Sequence, residues 1–392
     1  MLELELSPLL IALASAMLVS ALYLLLGFRR YIYSVRRHVT ADSQQPLPDD
    51  NSSYPPLSVI VYSEDDAANL EILLPQILEQ DYPAPFEVIV VNDGQVDATK
   101  DVIARLEQRY TNLYMTFTPL ESRALSRKKL ALTLGIKAAK YSIVVNTSGS
   151  CQVPSPLWLR SIGSCFAPST EVVIAYAAPC SMDETPHPRR RLHAFDQVRD
   201  SIEWLSWAIA GRPYRGSCHN IAYRRELFFR NKGFSRSLDL KWGDDDVFVS
   251  EVAHSNNTAV QLSQASMLLE VQSAPAAAHR IEKLRRNYTA SRLNHHARLF
   301  FSTCSWAWWI LFGTAIALGY FGWPSVIPAA AAAVVTLATW LVIMLSWKRT
   351  SLALWSRPLF LTVPWFMFIH PLYTFYYNLK GRGSRGSNLT WE

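Results

Sequence analysis

The sequence predicts an α/β domain with a mostly parallel sheet covered on both faces, flanked by an N-terminal apolar helix and a C-terminal membrane region. Three observations predict it. Residues 57–272 alternate short apolar runs with longer amphipathic ones, the pattern of strand–helix repetition. Those short runs are almost continuously apolar, as strands buried on both faces are. Outside this region the apolar residues gather in long stretches at both ends of a 392-residue chain that is 50% hydrophobic and holds 13 tryptophans.

Leu9–Phe28 carries no charge over 20 residues, enough to cross ~30 Å of hydrocarbon. A signal peptide fits poorly, because Glu3 and Glu5 stand where basic residues belong and no small-residue cleavage site follows. Arg29, Arg30, Arg36 and Arg37 come directly after the span. The positive-inside rule therefore predicts an external N-terminus and a cytoplasmic central region. Residues 1–29 read as a transmembrane anchor and 30–56 as a cytoplasmic linker, polar and proline-rich from residue 41. The five cysteines (151, 165, 180, 218 and 304) include no CxxC pair, which argues against a disulfide framework and a structural zinc site. The net charge of +6 needs no nucleic acid partner, since basic residues cluster beside the apolar segments where anionic lipid head groups would lie.

Within residues 57–277 the expected strands are SVIVY (58–62), FEVIVVN (86–92), LYMTF (113–117), YSIVVN (141–146) and EVVIAYAA (171–178). Helices are expected at Ala67–Gln80 (kinked or split by Pro75), Ala98–Tyr110, Ser126–Ala139, Ser155–Phe166 and Arg191–Ala210. Residues 278–304 mix six basic side chains with apolar ones and read as one amphipathic helix on a membrane surface. In the C-terminal membrane region, 305–392, two spans are expected at about Trp306–Gly322 and Val326–Trp347. For 358–378, which holds Pro364, His370 and Pro371, a re-entrant or interfacial hairpin is favoured over a further span. The expectation is a multi-pass protein of the cytoplasmic (inner) membrane.

Sheets of this kind bind ligands at the carboxyl ends of their strands. Asp65-Asp66 and Asn92-Asp93-Gly94 fall there and suit a base and a ribose, although Asn-Asp-Gly is equally a turn sequence. Ser126-Arg127-Lys128-Lys129 opens a helix, where cations suit a diphosphate; a solvated basic turn is the alternative. Asp244, Asp245 and Asp246 form a run of three carboxylates before an apolar helical stretch. Helix capping needs one or two of them; mutual repulsion would raise a pKa and suit a general base. The loop 211–220, with Arg215 and Gly216, either lines a pocket or merely joins helix to strand. His219 has no evident partner and is not nominated.

Together, the fragments SVIV…NLEILLPQILEQDYP, FEVIVVNDGQVDAT, SRKKLALTLGIKAA, GRPYRGSCHNIAYRRELFF and GFSRSLDLKWGDDDVFV resemble a membrane-bound family 2 glycosyltransferase over roughly residues 57–300. The resemblance implies the GT-A fold, a Rossmann-like nucleotide-diphospho-sugar transferase domain, and inverting transfer from a UDP- or GDP-sugar to a lipid-linked or glycan acceptor. It implies that Asp66 and Asp93 bind the nucleoside, that Lys128 lies near the diphosphate and that Asp245 is the catalytic base. Trp242, Arg215 and Gly216 would border the acceptor. Ser148 and Ser150, in NTSGSC, occupy both positions where the family holds a magnesium or manganese ion on aspartates. Lys128, Arg127 and Arg285 or Arg286 would then supply the missing charge. Leu284-Arg285-Arg286-Asn287-Tyr288 lacks the glutamine and tryptophan of processive members, so non-processive transfer is expected. The alternative is a weak or inactive relative acting as a nucleotide-sugar-binding or scaffold component of a glycan assembly complex.

Overall fold

A computed structural model describes residues 7–50, 54–64, 66–94, 97–118, 126–181, 188–238, 240–272 and 275–383. Glu3, Glu5 and Asp65 lie outside them. Along the chain, α1 (Pro8–Leu22), a π-helical turn (Tyr23–Phe28) and α2 (Arg29–Gln44) follow without a break. Then come β1 (Leu57–Ser63), α3 (Ala67–Leu78), β2 (Phe86–Asn92), α4 (Asp97–Glu107), β3 (Leu113–Phe117), α5 (Arg127–Ala138) and β4 (Ile143–Ser148). β5 (Cys151–Gln152), α6 (Trp158–Gly163), β6 (Val172–Ile174), β7 (Ala177–Ser181), α7 (Pro188–Ile209), β8 (Ile221–Arg224), α8 (Arg225–Arg230) and α9 (Asp246–Val252) succeed them. The chain continues through β9 (Thr258–Val260), β10 (Leu268–Gln272), α10 (Pro275–Thr289), α11 (His295–Phe321), α12 (Ile327–Ala353) and α13 (Val363–Gly383).

Two compact units emerge. One comprises residues 1–37, 186–206 and 295–379. Three helices here or beginning here are long and apolar enough to cross a membrane: Pro8–Gln44, His295–Phe321 and Ile327–Ala353. The unit's interior is aromatic and also charged. Phe195 stacks on Trp347 with ring centroids 4.6 Å apart. The buried Asp196 lies 3.0 Å from His370 Nε2, while Arg199 donates to the Phe301 carbonyl at 2.9 Å and to Ser305 at 3.2 Å. Charges taken from water must be paired in this way or cost several kcal/mol.

The other unit comprises residues 38–185, 207–294 and 380–392. Its main sheet has seven strands in the order β3-β2-β1-β4-β8-β6-β9. β3, β2, β1 and β4 run parallel, and β8 is antiparallel to both β4 and β6. Val59, Val61, Val88, Val90, Ile143 and Val145 form one buried face of these strands with α3 and Trp158. On α5, Gly135 allows a close approach: a Cβ there would fall 2.7 Å from Ile60 Cγ2 and 2.8 Å from Val91 Cγ2. A smaller sheet, β5-β10-β7, adjoins β4 through the two-residue turn at Gly149.

Several sequence expectations are corrected. The helix persists to Gln44, through much of the predicted linker. It is secured within the second unit where His38 Nε2 meets the Val260 carbonyl at 3.0 Å and Asp42 accepts from the Leu262 N–H at 2.8 Å. Pro75 sits inside α3 without splitting it. The single strand expected at 171–178 is two strands in two sheets, because the chain crosses from β6 to β7. The basic segment 278–304 is not one surface helix. α10 ends at Thr289, a 3-10 turn follows at Ala290–Arg292, and α11 starts at His295. Residues 358–378 contain no hairpin; α13 is continuous and carries Pro371 inside it.

Candidate active site

Strand register assembles the rim. Ser63 at the end of β1 pairs with Asn92 of β2, and Tyr62 pairs with Ser148 of β4. Asp93, Asp66 and the serine pair therefore follow neighbouring strand ends. Asp93 accepts from the Tyr62 hydroxyl at 3.2 Å and pairs with Arg127 at 2.6 Å. Burial, then the Asp93 charge, pushes the Tyr62 phenol up, so it stays a hydrogen-bond donor. Asp66 accepts from Asn69 through both oxygens at 2.9 Å. Ser148 Oγ and Ser150 Oγ lie 3.1 Å apart and share a hydrogen bond.

The start of α5 joins this rim to the three aspartates. Lys128 Nζ pairs with Asp244 at 2.7 Å, donates to Cys218 Sγ at 3.1 Å and lies 5.7 Å from the centre of the Tyr62 ring. Burial opposes its charge, yet Asp244 and Cys218 hold its pKa above the usual lysine value. Lys129 points the other way. Its buried ammonium donates to the carbonyls of Ser237, Leu240 (2.9 Å) and Trp242 (2.9 Å), fixing the approach to the acidic run. Gly243 then turns with φ 106°, open to glycine and strained for other residues.

The three consecutive carboxylates have different surroundings. Asp245 has no exposed side-chain surface. Its Oδ1 accepts from the Asp246 N–H at 2.7 Å, and its Oδ2 accepts from the Cys218 N–H at 3.4 Å and from the Arg285 guanidinium. Burial alone would raise its pKa, but Arg285, Lys128 and Arg215 hold it down at about 2. Asp246 accepts from the Val247 N–H at 2.8 Å and from the Thr289 hydroxyl. Burial and the adjacent Asp245 charge push it up to about 6.

α10 supplies the rest. Glu282 pairs with Arg215 at 2.9 Å, with Arg286 at 3.1 Å and with Arg285 Nε at 3.4 Å. Burial opposes its ionisation, but these three guanidinium groups hold its carboxyl well below the usual range. Lys128, Arg215, Arg285 and Arg286 thus meet Asp244, Asp245 and Glu282 through direct contacts, while Asp246 beside them is held by a hydroxyl and an N–H. Trp242 is half-buried edge-on to Tyr288, with ring centroids 5.5 Å apart. Gly216 is packed inside, where a Cβ would meet Val249 at 3.0 Å. The sequence reading missed Glu282 altogether and did not foresee that Arg285 pairs with Asp245. The signal was present as the i, i+3, i+4 spacing of Glu282, Arg285 and Arg286, which places all three on one helix face.

A divalent ion fits this rim poorly. The positions that would hold it carry two neutral hydroxyls bonded to each other, whereas magnesium and manganese favour carboxylate oxygens. Among the described residues, no group of three or more His, Cys, Asp or Glu side chains is arranged to hold a metal.

Residues 58–230 match the family model described as Glycosyl transferase family 2. The match takes in the strand-end rim and Lys128 and ends before Asp244. Glycosyltransferase AglE of Haloferax volcanii is 28% identical over 110 residues, which is 28% of this chain and 34% of that protein. The chain thus spans about a third of that curated relative's length. Among solved structures, the mannosyltransferase PcManGT from Pyrobaculum calidifontis, in complex with GDP-Man and Mn2+, aligns with a TM-score of 0.53 at 20% identity. The alignment covers 94% of this chain and 97% of that one, a likeness of fold. The fold is of the GT-A type, a mixed α/β sheet accompanied by apolar helices at both ends of the chain.

Proposed function

We propose that this chain is a membrane-bound inverting glycosyltransferase, moving a sugar from a UDP- or GDP-sugar to a membrane-associated glycan or lipid-linked acceptor. The observation that carries the reading is the bridge made by adjacent residues of α5: Arg127 pairs with Asp93 at the strand-end rim, and Lys128 pairs with Asp244 of the acidic run. A nucleoside held at Asp93 and Asp66 would place its diphosphate by these cations, with the anomeric carbon toward Asp245. The acceptor oxygen then bonds to that carbon as the carbon–phosphate oxygen bond breaks. The hydroxyl proton passes to Asp245, and the nucleoside diphosphate leaves. One base and one displacement suffice, and the product is inverted. Trp242 and Arg215 border the acceptor side in this reading.

The arginines after the first apolar segment, with Lys348 and Arg349 at the end of α12, favour a cytoplasmic site on a multi-pass inner-membrane protein. The absent glutamine and tryptophan of processive members favour addition of single residues. The test is a donor screen by mass spectrometry on membranes with and without the protein, seeking a glycan one residue longer. Transfer should fall about 10²–10⁴-fold in Asp245→Asn, the usual worth of a general base; transfer at the parent rate would refute the assignment. The paired serines and the sealed Asp245 favour one second reading, a nucleotide-sugar-binding scaffold, which predicts binding without transfer in every donor tested.

A further inference from the structure

The site as folded has a base that no acceptor hydroxyl can reach. Asp245 is fully buried, each of its oxygens has partners, and one of those partners is the Arg285 cation. The nearby metal positions carry serines. A diphosphate leaving group therefore needs a cation, and the base needs to lose one.

We infer that Arg285 serves both needs in turn: it closes Asp245 in the empty protein and passes to the donor's diphosphate when a nucleotide-sugar binds. The inference rests on the sugar-transfer reading above. Arg285 can make this move because its second partner, Glu282, also pairs with Arg215 and Arg286, so that carboxylate keeps two partners when Arg285 departs. Lys128 is placed to act in parallel, leaving Asp244 for the same diphosphate. A guanidinium carries a forked set of donors suited to phosphate oxygens. It would stabilise charge on the leaving group where a divalent ion otherwise acts. The base becomes available only after the donor has bound, so donor binding precedes productive acceptor binding. Arg285 is then a catalytic residue of the reaction.

The test is calorimetric titration of UDP and GDP into the full-length protein in lipid nanodiscs with excess EDTA. The parent should bind one of them in EDTA. Asp245→Asn should bind it about tenfold more tightly, because no ion pair has to open. Arg285→Ala should bind it at least tenfold more weakly, and adding Asp245→Asn to Arg285→Ala should change affinity less than threefold. Arg285→Lys retains a cation and should bind better than Arg285→Ala, which keeps the comparison informative should the alanine variant fold poorly. Equal tightening by Asp245→Asn with and without Arg285 would overturn the handover, leaving only the general field of one removed charge. So would parent-like binding by Arg285→Ala, or parent binding lost in EDTA and restored by manganese; each of these leaves sugar transfer standing. Absence of any nucleotide binding, with or without manganese, would overturn both.

Discussion

At the scale of single residues, neighbours in sequence have unlike chemistry. Asp244 meets an ammonium, Asp245 a guanidinium and two N–H groups, and Asp246 a hydroxyl and an N–H. Burial and the Asp245 charge make Asp246 the one that resists ionising. With a folded value of about 6, above that of the unfolded chain, Asp246 binds its proton more tightly when folded. Its contribution is therefore most favourable below about pH 4 and is lost as pH rises through 6. Asp246→Asn should gain stability relative to the parent between pH 4 and 7, by up to about 3 kcal/mol, as read from urea unfolding at each pH. An unchanged difference across that range would contradict the burial argument. Asp245 behaves oppositely: held at about 2, its stabilisation is present above the unfolded value near 4 and lost as pH falls toward 2. The acidic run was legible in the sequence as a candidate base. Which of the three carry a cation was not, since Lys128 and Arg285 come from distant parts of the chain on either side.

At the scale of elements, periodicity located the strands because buried parallel strands are written in unbroken apolar letters. It failed where one apolar stretch serves two sheets, as at β6 and β7, and where amphipathicity has two explanations. α10 looks like a membrane-surface helix by composition, yet its Glu282 and Arg285 face the acidic run; a sequence shows that a helix has a charged face, not what covers it. α5 was legible at both ends, and its glycine explains how closely it lies on β1 and β2. Gly135→Ala should force the helix away from Ile60 and Val91, costing about 1–3 kcal/mol from overpacking. It should also weaken UDP or GDP binding, because Arg127 and Lys128 open the same helix. A melting temperature and a nucleotide affinity both equal to the parent's would show that the sheet yields without consequence.

At the scale of the whole molecule, apolar length and flanking arginines suggested where the chain meets lipid, and three helices of sufficient length and apolarity bear on that directly. The topology proposed above puts the turn between α11 and α12 outside. A cysteine introduced by Val326→Cys, at a site 66% exposed, should react with an impermeant maleimide in intact cells. One introduced by Lys348→Cys should react only after permeabilisation. The reverse pattern would invert the proposed orientation. The clustering of four cations, Lys128, Arg215, Arg285 and Arg286, with four carboxylates, Asp244, Asp245, Asp246 and Glu282, has a selective consequence. An electrically quiet pocket does not attract orthophosphate, the commonest small anion competing for any phosphate site. Occupancy must instead be won by the nucleoside's own grip on the strand ends, so mimicry of the phosphates alone should make a poor inhibitor.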